Sequence, residues 1–223
     1  MERVEAVETG SWAELASVRY AAPATMFTLG IALHAFNAFI ASTTMPSAAI
    51  EMGTVSLLSW APSAYLVASI VGGAAAAVLK GRFGARSVLL ASSVAFIGGS
   101  LAFGLAPNVI SIVVGRVLQG AGEGIVMACC YALIPEMFPK SLVPRIFALE
   151  SVAWALAALG GPVIAGAVTE LVSWRAAAMV SIPASIAFMI FVPLCVPAGG
   201  GNGSARGVPT LQLAMVALGV LLL

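Results

Sequence analysis

Aspartate is absent from this 223-residue chain: all nine acidic residues are glutamate, and with ten Lys and Arg the net charge is +1. An aspartyl dyad is therefore excluded. A single histidine, His34, and three cysteines, Cys129, Cys130 and Cys195, leave too few ligands in any metal-binding spacing. No serine–histidine arrangement has supporting context, and no cofactor is expected. The cysteines lie within apolar runs and read as small packing residues. No basic run could neutralise several phosphates, so nucleic acid is not an expected partner. Charged residues make up 9% of the chain, far below the roughly one quarter of a soluble domain.

What is present is apolar sequence: 61% hydrophobic residues and a mean hydropathy of +1.08. It is divided into segments of about 20 residues, the length that crosses a hydrocarbon core about 30 Å thick. Isolated segments of this kind must satisfy their backbones internally, so they are helices. The pattern predicts six spans at 24–46, 57–79, 87–106, 109–134, 146–169 and 174–196, separated by Pro46, Pro107-Asn108 and the cluster Pro135, Pro139, Pro144. Residues 1–21 read as a cytosolic lead, 22–197 as a six-helix bundle, 198–208 as a Gly-rich cytosolic linker, and 209–223 as a seventh span cut short. With the N-terminus cytoplasmic, the inner loops hold Arg3, Arg19, Lys80, Arg82, Arg86, Lys140, Arg145 and Arg206. The outer loops hold Arg175 alone. That asymmetry sets the expected orientation, and the expected location is the inner (plasma) membrane.

A weak internal repeat runs at an offset of 88 or 89 residues: Pro46 with Pro135, Tyr65 with Trp154, Gly72-Gly73 with Gly160-Gly161, Arg86 with Arg175. Three helices per copy make the second copy inverted relative to the first, a construction common among transporters.

Span 4 carries Arg116, Gln119 and Glu123 inside a lipid-compatible helix. Ionisable groups at that depth are costly unless paired or facing water, so they mark a candidate site. At 100° per residue Arg116, Gln119, Gly120, Glu123 and Met127 share a stripe. Arg116 and Glu123 are seven residues apart, about 10 Å along the axis, too far for direct pairing. Gln119, water or another helix must bridge them. Two readings of Glu123 stand: a carboxylate that exchanges protons, or half of a salt bridge holding span 4 to span 1 or 5. In span 1, His34 and Asn37 share a face and read either as cavity lining or as interhelical hydrogen-bonding groups. Ser42, Thr43 and Thr44 read as packing. Glu150 reads as a gate partner for Arg145 or the 80–86 loop. Tyr65, Trp154 and Trp60 read as interfacial anchors before cavity lining.

The loop Leu79-Lys80-Gly81-Arg82-Phe83-Gly84-Ala85-Arg86 resembles the signature loop of the major facilitator superfamily, G-x-L-a-D-r-x-G-r-k. Leu79, Arg82, Gly84 and Arg86 match, whereas Ala77, Gly81 and Ala85 depart from it. The absent Asp is the family's usual gating contact. Span 4 is similar to the family motif R-x-x-Q-G-x-G through Arg116, Gln119, Gly120 and Gly122. Gly161-Pro162-Val163-Ile164-Ala165-Gly166 is similar to the G-P-x-x-G-G antiporter motif, in which Gly161, Pro162 and Gly166 match. Together with stretches near Trp60 and Trp174, these resemble the drug:proton antiporter members.

The resemblance implies an all-α membrane protein: the six-helix N-terminal half of a major facilitator fold, a 3+3 inverted repeat, plus part of a seventh helix. It implies alternating-access transport of a small solute, with proton-coupled efflux as the leading expectation. A proton-coupled uptake symporter and a membrane fragment without transport are the alternatives. Arg116, Gln119, Glu123, His34 and Asn37 form the expected substrate and proton pathway. Lys80, Arg82, Gly84, Arg86, Arg145 and Glu150 form the expected gate, and Gly161, Pro162 and Gly166 the antiporter motif. The expected partners are membrane lipid, a small-molecule substrate, protons and a missing C-terminal half.

Overall fold

The computed structural model describes residues 10–199. Positions 1–9, most of the expected linker and the whole expected seventh span lie outside the described residues. The elements are α1 (Trp12–Leu15), α2 (Val18–Glu51), α3 (Leu57–Phe83), α4 (Ala85–Gly104), α5 (Val109–Met137), α6 (Val143–Leu171), α7 (Trp174–Met179) and α8 (Ile182–Cys195). Six stretches are long and apolar enough to cross a membrane, α7 and α8 counting together as one.

The helices overrun the expected spans at several ends. Span 1 becomes the 34-residue α2, which begins at Val18 inside the expected lead and continues past Pro46 to Glu51. At about 1.5 Å per residue it is roughly 50 Å long, so it projects beyond the apolar core. Pro46 does not end it, because a membrane helix can absorb a proline. Span 6, expected as one helix, is interrupted at Val180-Ser181. Pro183 lacks the N–H that would bond the Met179 carbonyl, so α8 restarts with proline in its first turn.

The 80–86 loop is nearly absent as a loop. Gly84 alone joins α3 to α4 with φ of 79°, a backbone conformation that favours glycine. At the same end of the bundle, α1 is tucked under the α5–α6 connection. The Gly10 amide donates to the Ser141 carbonyl, and Leu15 is buried in one core cluster with Leu142. This end also carries Lys80, Arg82, Arg86, Lys140 and Arg145 and is called the basic end below.

Helix α5 runs through the middle, packed chiefly on α3 and α4, while α2 packs chiefly on α6. Glycines set those distances. On one side of α5, a Cβ at Gly120 or Gly124 would overlap the carbonyls of Tyr65 and Ser69 on α3. On the other, Gly115 and Gly122 lie against the α4 backbone at Phe103 and Ser92. Small residues permit this approach, which is how membrane helices associate without a hydrophobic driving force between them. The apolar stretches of α2 and α5 are 56% buried, whereas those of α3 and α6 are 17% buried.

Candidate functional site

The polar groups of α5 converge with groups from α2 and α3 at mid-depth. Glu123 Oε2 accepts from Asn37 Nδ2 at 2.9 Å and from the Tyr65 hydroxyl at 2.6 Å. His34 Nδ1 lies 3.0 Å from the same hydroxyl and 3.7 Å from Oε2. Tyr65 has a single O–H hydrogen. With that hydrogen directed at Glu123, Nδ1 of His34 must carry one of its own to bond the phenol oxygen. His34 is thus tied to the carboxylate through Tyr65, and Trp154 of α6 packs edge-on against its ring at 5.9 Å.

Arg116 has no carboxylate within ion-pair distance among the described residues. Its guanidinium lies 4.0 Å over the Tyr65 ring, and Nη1 donates to Gln119 Oε1 at 2.8 Å. Gln119 Nε2 in turn donates to Ser100 Oγ of α4 at 2.9 Å. A desolvated cation on a tyrosine face is held by the ring quadrupole, and here the hydroxyl of that same ring serves the anion. Tyr65 is therefore the bridge between Arg116 and Glu123. Arg116, Gln119, Glu123, Asn37 and Tyr65 are all buried.

Two valences in this cluster have no partner among the described residues, Arg116 Nε and Glu123 Oε1. Buried polar atoms ordinarily find partners, so these are the positions at which water or a bound solute can complete the network.

The local sequence explains the convergence. On α5 the stripe Arg116, Gln119, Glu123 is interleaved with Gly120 and Gly124, which face α3. The close approach they allow is what carries Tyr65 over the stripe. On α2, His34 and Asn37 are three residues apart and reach the same carboxylate from one face.

Most of the other expected site residues lie elsewhere. Lys80 pairs with Glu136 across α3 and α5 at the basic end. Arg82 is exposed and lies over the Phe83 ring at 5.6 Å, and Arg86 forms no ion pair among the described residues. Arg145 is turned toward the Ser141 carbonyl and the Trp12 ring, away from Glu150. The expected pairing of Glu150 with Arg145 or the 80–86 loop is thus not formed: Glu150 is buried with neither oxygen bonded. Gly161 lies against Phe39 of α2, Pro162 is inside α6, and Gly166 meets open space. The hydroxyls of Ser42, Thr43 and Thr44 bond carbonyls of their own helix, consistent with packing.

Tyr65, Ser100 and Trp154 are the site groups that sequence reasoning missed or placed elsewhere. Tyr65 is 3% exposed, not an interfacial anchor, while Trp60 is 63% exposed. The signal was in the repeat: Tyr65 and Trp154 occupy equivalent positions in the two copies, and both pack on His34. At the end opposite the basic one, Glu51 accepts from Trp174 Nε1 at 2.6 Å and pairs with Arg175, which also donates to the Ala106 carbonyl. That clasp ties α2 and α7 to the connection that follows α4.

Comparison with known proteins gives the fold its family. The family model described as Major Facilitator Superfamily matches residues 27–218. A Mycobacterium tuberculosis protein named "Probable multidrug-efflux transporter" is 36% identical over 218 residues, covering 95% of this chain and 46% of that protein. The multidrug transporter protein MdtP of Bacillus subtilis is 27% identical over 158 residues, 71% of this chain and 29% of its own length. The chain thus spans about half or less of these relatives. Among solved structures, a D-xylose-proton symporter superposes with a TM-score of 0.71 at 18% identity, over 91% of this chain and 52% of that one. A peptide transporter bound to sulfate gives 0.69 at 13% identity, over 90% and 44%. Six apolar helices in this arrangement make the chain an integral, multi-pass membrane protein, and it belongs to the major facilitator superfamily.

Proposed function

We infer that the complete protein exports a small solute by alternating access, driven by protons moving the other way, with Glu123 as the proton-carrying group. The observation that carries this reading is the set of partners around Glu123. Asn37 and Tyr65 offer neutral donors, His34 is tied in through Tyr65, and Arg116 is held one ring away instead of in a direct ion pair. A carboxylate locked to an arginine would hold its charge strongly; one held by neutral donors can exchange a proton as its surroundings change. A proton taken up on Oε1 leaves Oε2 as an acceptor but removes its negative charge, which weakens the bonds from Tyr65 and Asn37 and couples proton binding to the packing of α2 and α3 around α5. Arg116 Nε and Glu123 Oε1 are the positions offered to substrate.

Efflux is supported by the relatives named as multidrug transporters. The fold likeness to a proton symporter, at 18% identity, does not bear on direction. Rocking about a midplane site needs two halves, and this chain aligns with about half of its relatives. The 223-residue chain alone is therefore expected not to carry solute, and its N-terminus is expected on the cytoplasmic side.

The test is flux in vesicles with an imposed pH gradient, comparing the full-length transporter with Glu123→Gln. Gradient-driven export should be lost while solute exchange without a gradient persists. Unchanged gradient-driven flux would return Glu123 to a structural role, and accumulation in the direction of proton flow would make the protein a symporter.

A further inference from the structure

Glu150 stands two turns inside α6 from the basic end, 2% exposed, with neither Oε1 nor Oε2 hydrogen-bonded among the described residues. No Lys, Arg or His nitrogen lies within 4.0 Å of it among the described residues. The titratable neighbours facing it are Tyr131 and Cys130, both on α5. Tyr131 is held there by stacking on Phe147 of α6, with centroids 6.0 Å apart. On α6 itself, Arg145 is directed to Ser141 and Trp12. The other helices packed on α6 commit their ionisable groups elsewhere. On α2, Arg19 lies over Tyr20, Tyr20 packs at a tilt on Phe138, and His34 bonds Tyr65. On α7, Arg175 pairs with Glu51.

An ionised carboxylate stripped of both water and partners is among the least tolerated groups in an apolar interior, whereas the neutral acid is an ordinary polar group. Cys130, beside Glu150, is seven residues from Glu123 on α5, about 10 Å along the axis toward the basic end. The two acids therefore lie at successive depths along α5. Helix α6 packs on α5 far more sparsely than α2, α3 or α4 does, so the seam holding Glu150 is more easily opened to water than those interfaces.

We propose that Glu150 is a second proton-binding site, closed in the α5–α6 seam as a neutral carboxylic acid and exchanging its proton with water when the seam opens at the basic end. One O–H bond breaks at the carboxyl oxygen and one forms on an entering water, leaving carboxylate and hydronium, and reprotonation reverses this. The proposal rests on the proposed function only in treating Glu123 as the neighbouring stop of a proton route. Protonation of Glu150 itself stands or falls separately.

Dicyclohexylcarbodiimide, which labels protonated carboxyls in apolar surroundings, tests this on the unaltered 223-residue chain in lipid vesicles. Mass-spectrometric mapping should find an adduct on Glu150 at neutral pH that disappears in alkaline buffer. No adduct at Glu150, or one indifferent to pH, overturns the proposal. Infrared difference spectra supply the second measurement. In a Glu123→Gln background the carbonyl stretch of a protonated acid should persist at neutral pH, and Glu150→Gln should delete it. A band unchanged by Glu150→Gln overturns the assignment, whereas a missing adduct at Glu123 would count only against the function proposed above.

Discussion

Two buried glutamates on neighbouring helices meet opposite surroundings. Glu123 Oε2 receives two donors from two other helices, while Glu150 receives none. The difference lies in how near the next backbone comes. Opposite Glu123, Gly120 and Gly124 let α3 close onto α5 until Tyr65 is in reach. Opposite Glu150 the backbones of α5 and α6 stay apart, and neither carboxyl oxygen has a hydrogen-bond partner among the described residues. A buried acid is thus supplied with partners by small residues on its own helix as much as by polar residues on the next.

The largest effect should come from removing that closeness. Gly120→Val places branched carbon on the Tyr65 carbonyl and should destabilise the bundle by about 3 kcal/mol, the upper range for overpacking. Gly166→Val, into open space, should stay within about 0.5 kcal/mol. Reversible unfolding by detergent titration measures both, and equal stabilities would break the link between glycine packing and the site.

Next comes the pair of acids itself. Glu123→Ala leaves Asn37 Nδ2 and the Tyr65 hydroxyl without their acceptor, a loss of about 2 kcal/mol. Glu150→Leu removes a group that has no bonds to lose and should be neutral or stabilising by about 1 kcal/mol. Opposite signs in the same titration sharpen the contrast; a Glu150→Leu as damaging as Glu123→Ala would mean that Glu150 has partners of its own.

The fold was legible because lipid imposes a simple code, in which apolar length gives spans, whereas the contacts set by the α5 glycines came only with the structure. Arg116, Gln119, Glu123, His34 and Asn37 were legible as polar residues at membrane depth. Which of them touch was not. Tyr65 is amphipathic, and amphipathy alone suits a membrane interface as well as a buried bridge, so only the backbone approach at Gly120 decides between them. Glu150 was misassigned to Arg145 because the two are near in sequence. Five residues apart on a helix, they point to different sides, and Arg145 follows α1 instead. The break at Val180-Ser181 was signalled by Pro183, but a proline in an apolar run can equally be absorbed, as Pro46 is.

The smallest of these effects, and the one that dissects the Glu123 side most finely, is Tyr65→Phe. The change removes the hydroxyl that donates to Glu123 and meets His34, but it keeps the ring beneath Arg116. Its stability loss should be about 1 kcal/mol, since hydrogen bonds between membrane helices average roughly 0.6 and rarely exceed 1.7 kcal/mol. Arg116 should stay in place, because cation–π attraction to phenylalanine survives the substitution. Combined with Glu123→Gln in a double-mutant cycle, Tyr65→Phe should show coupling of about 1 kcal/mol, whereas with Glu150→Gln the two changes should add. Coupling to Glu150 of equal size would mean that the two acids share one network, and the contrast between a partnered and an unpartnered glutamate would dissolve.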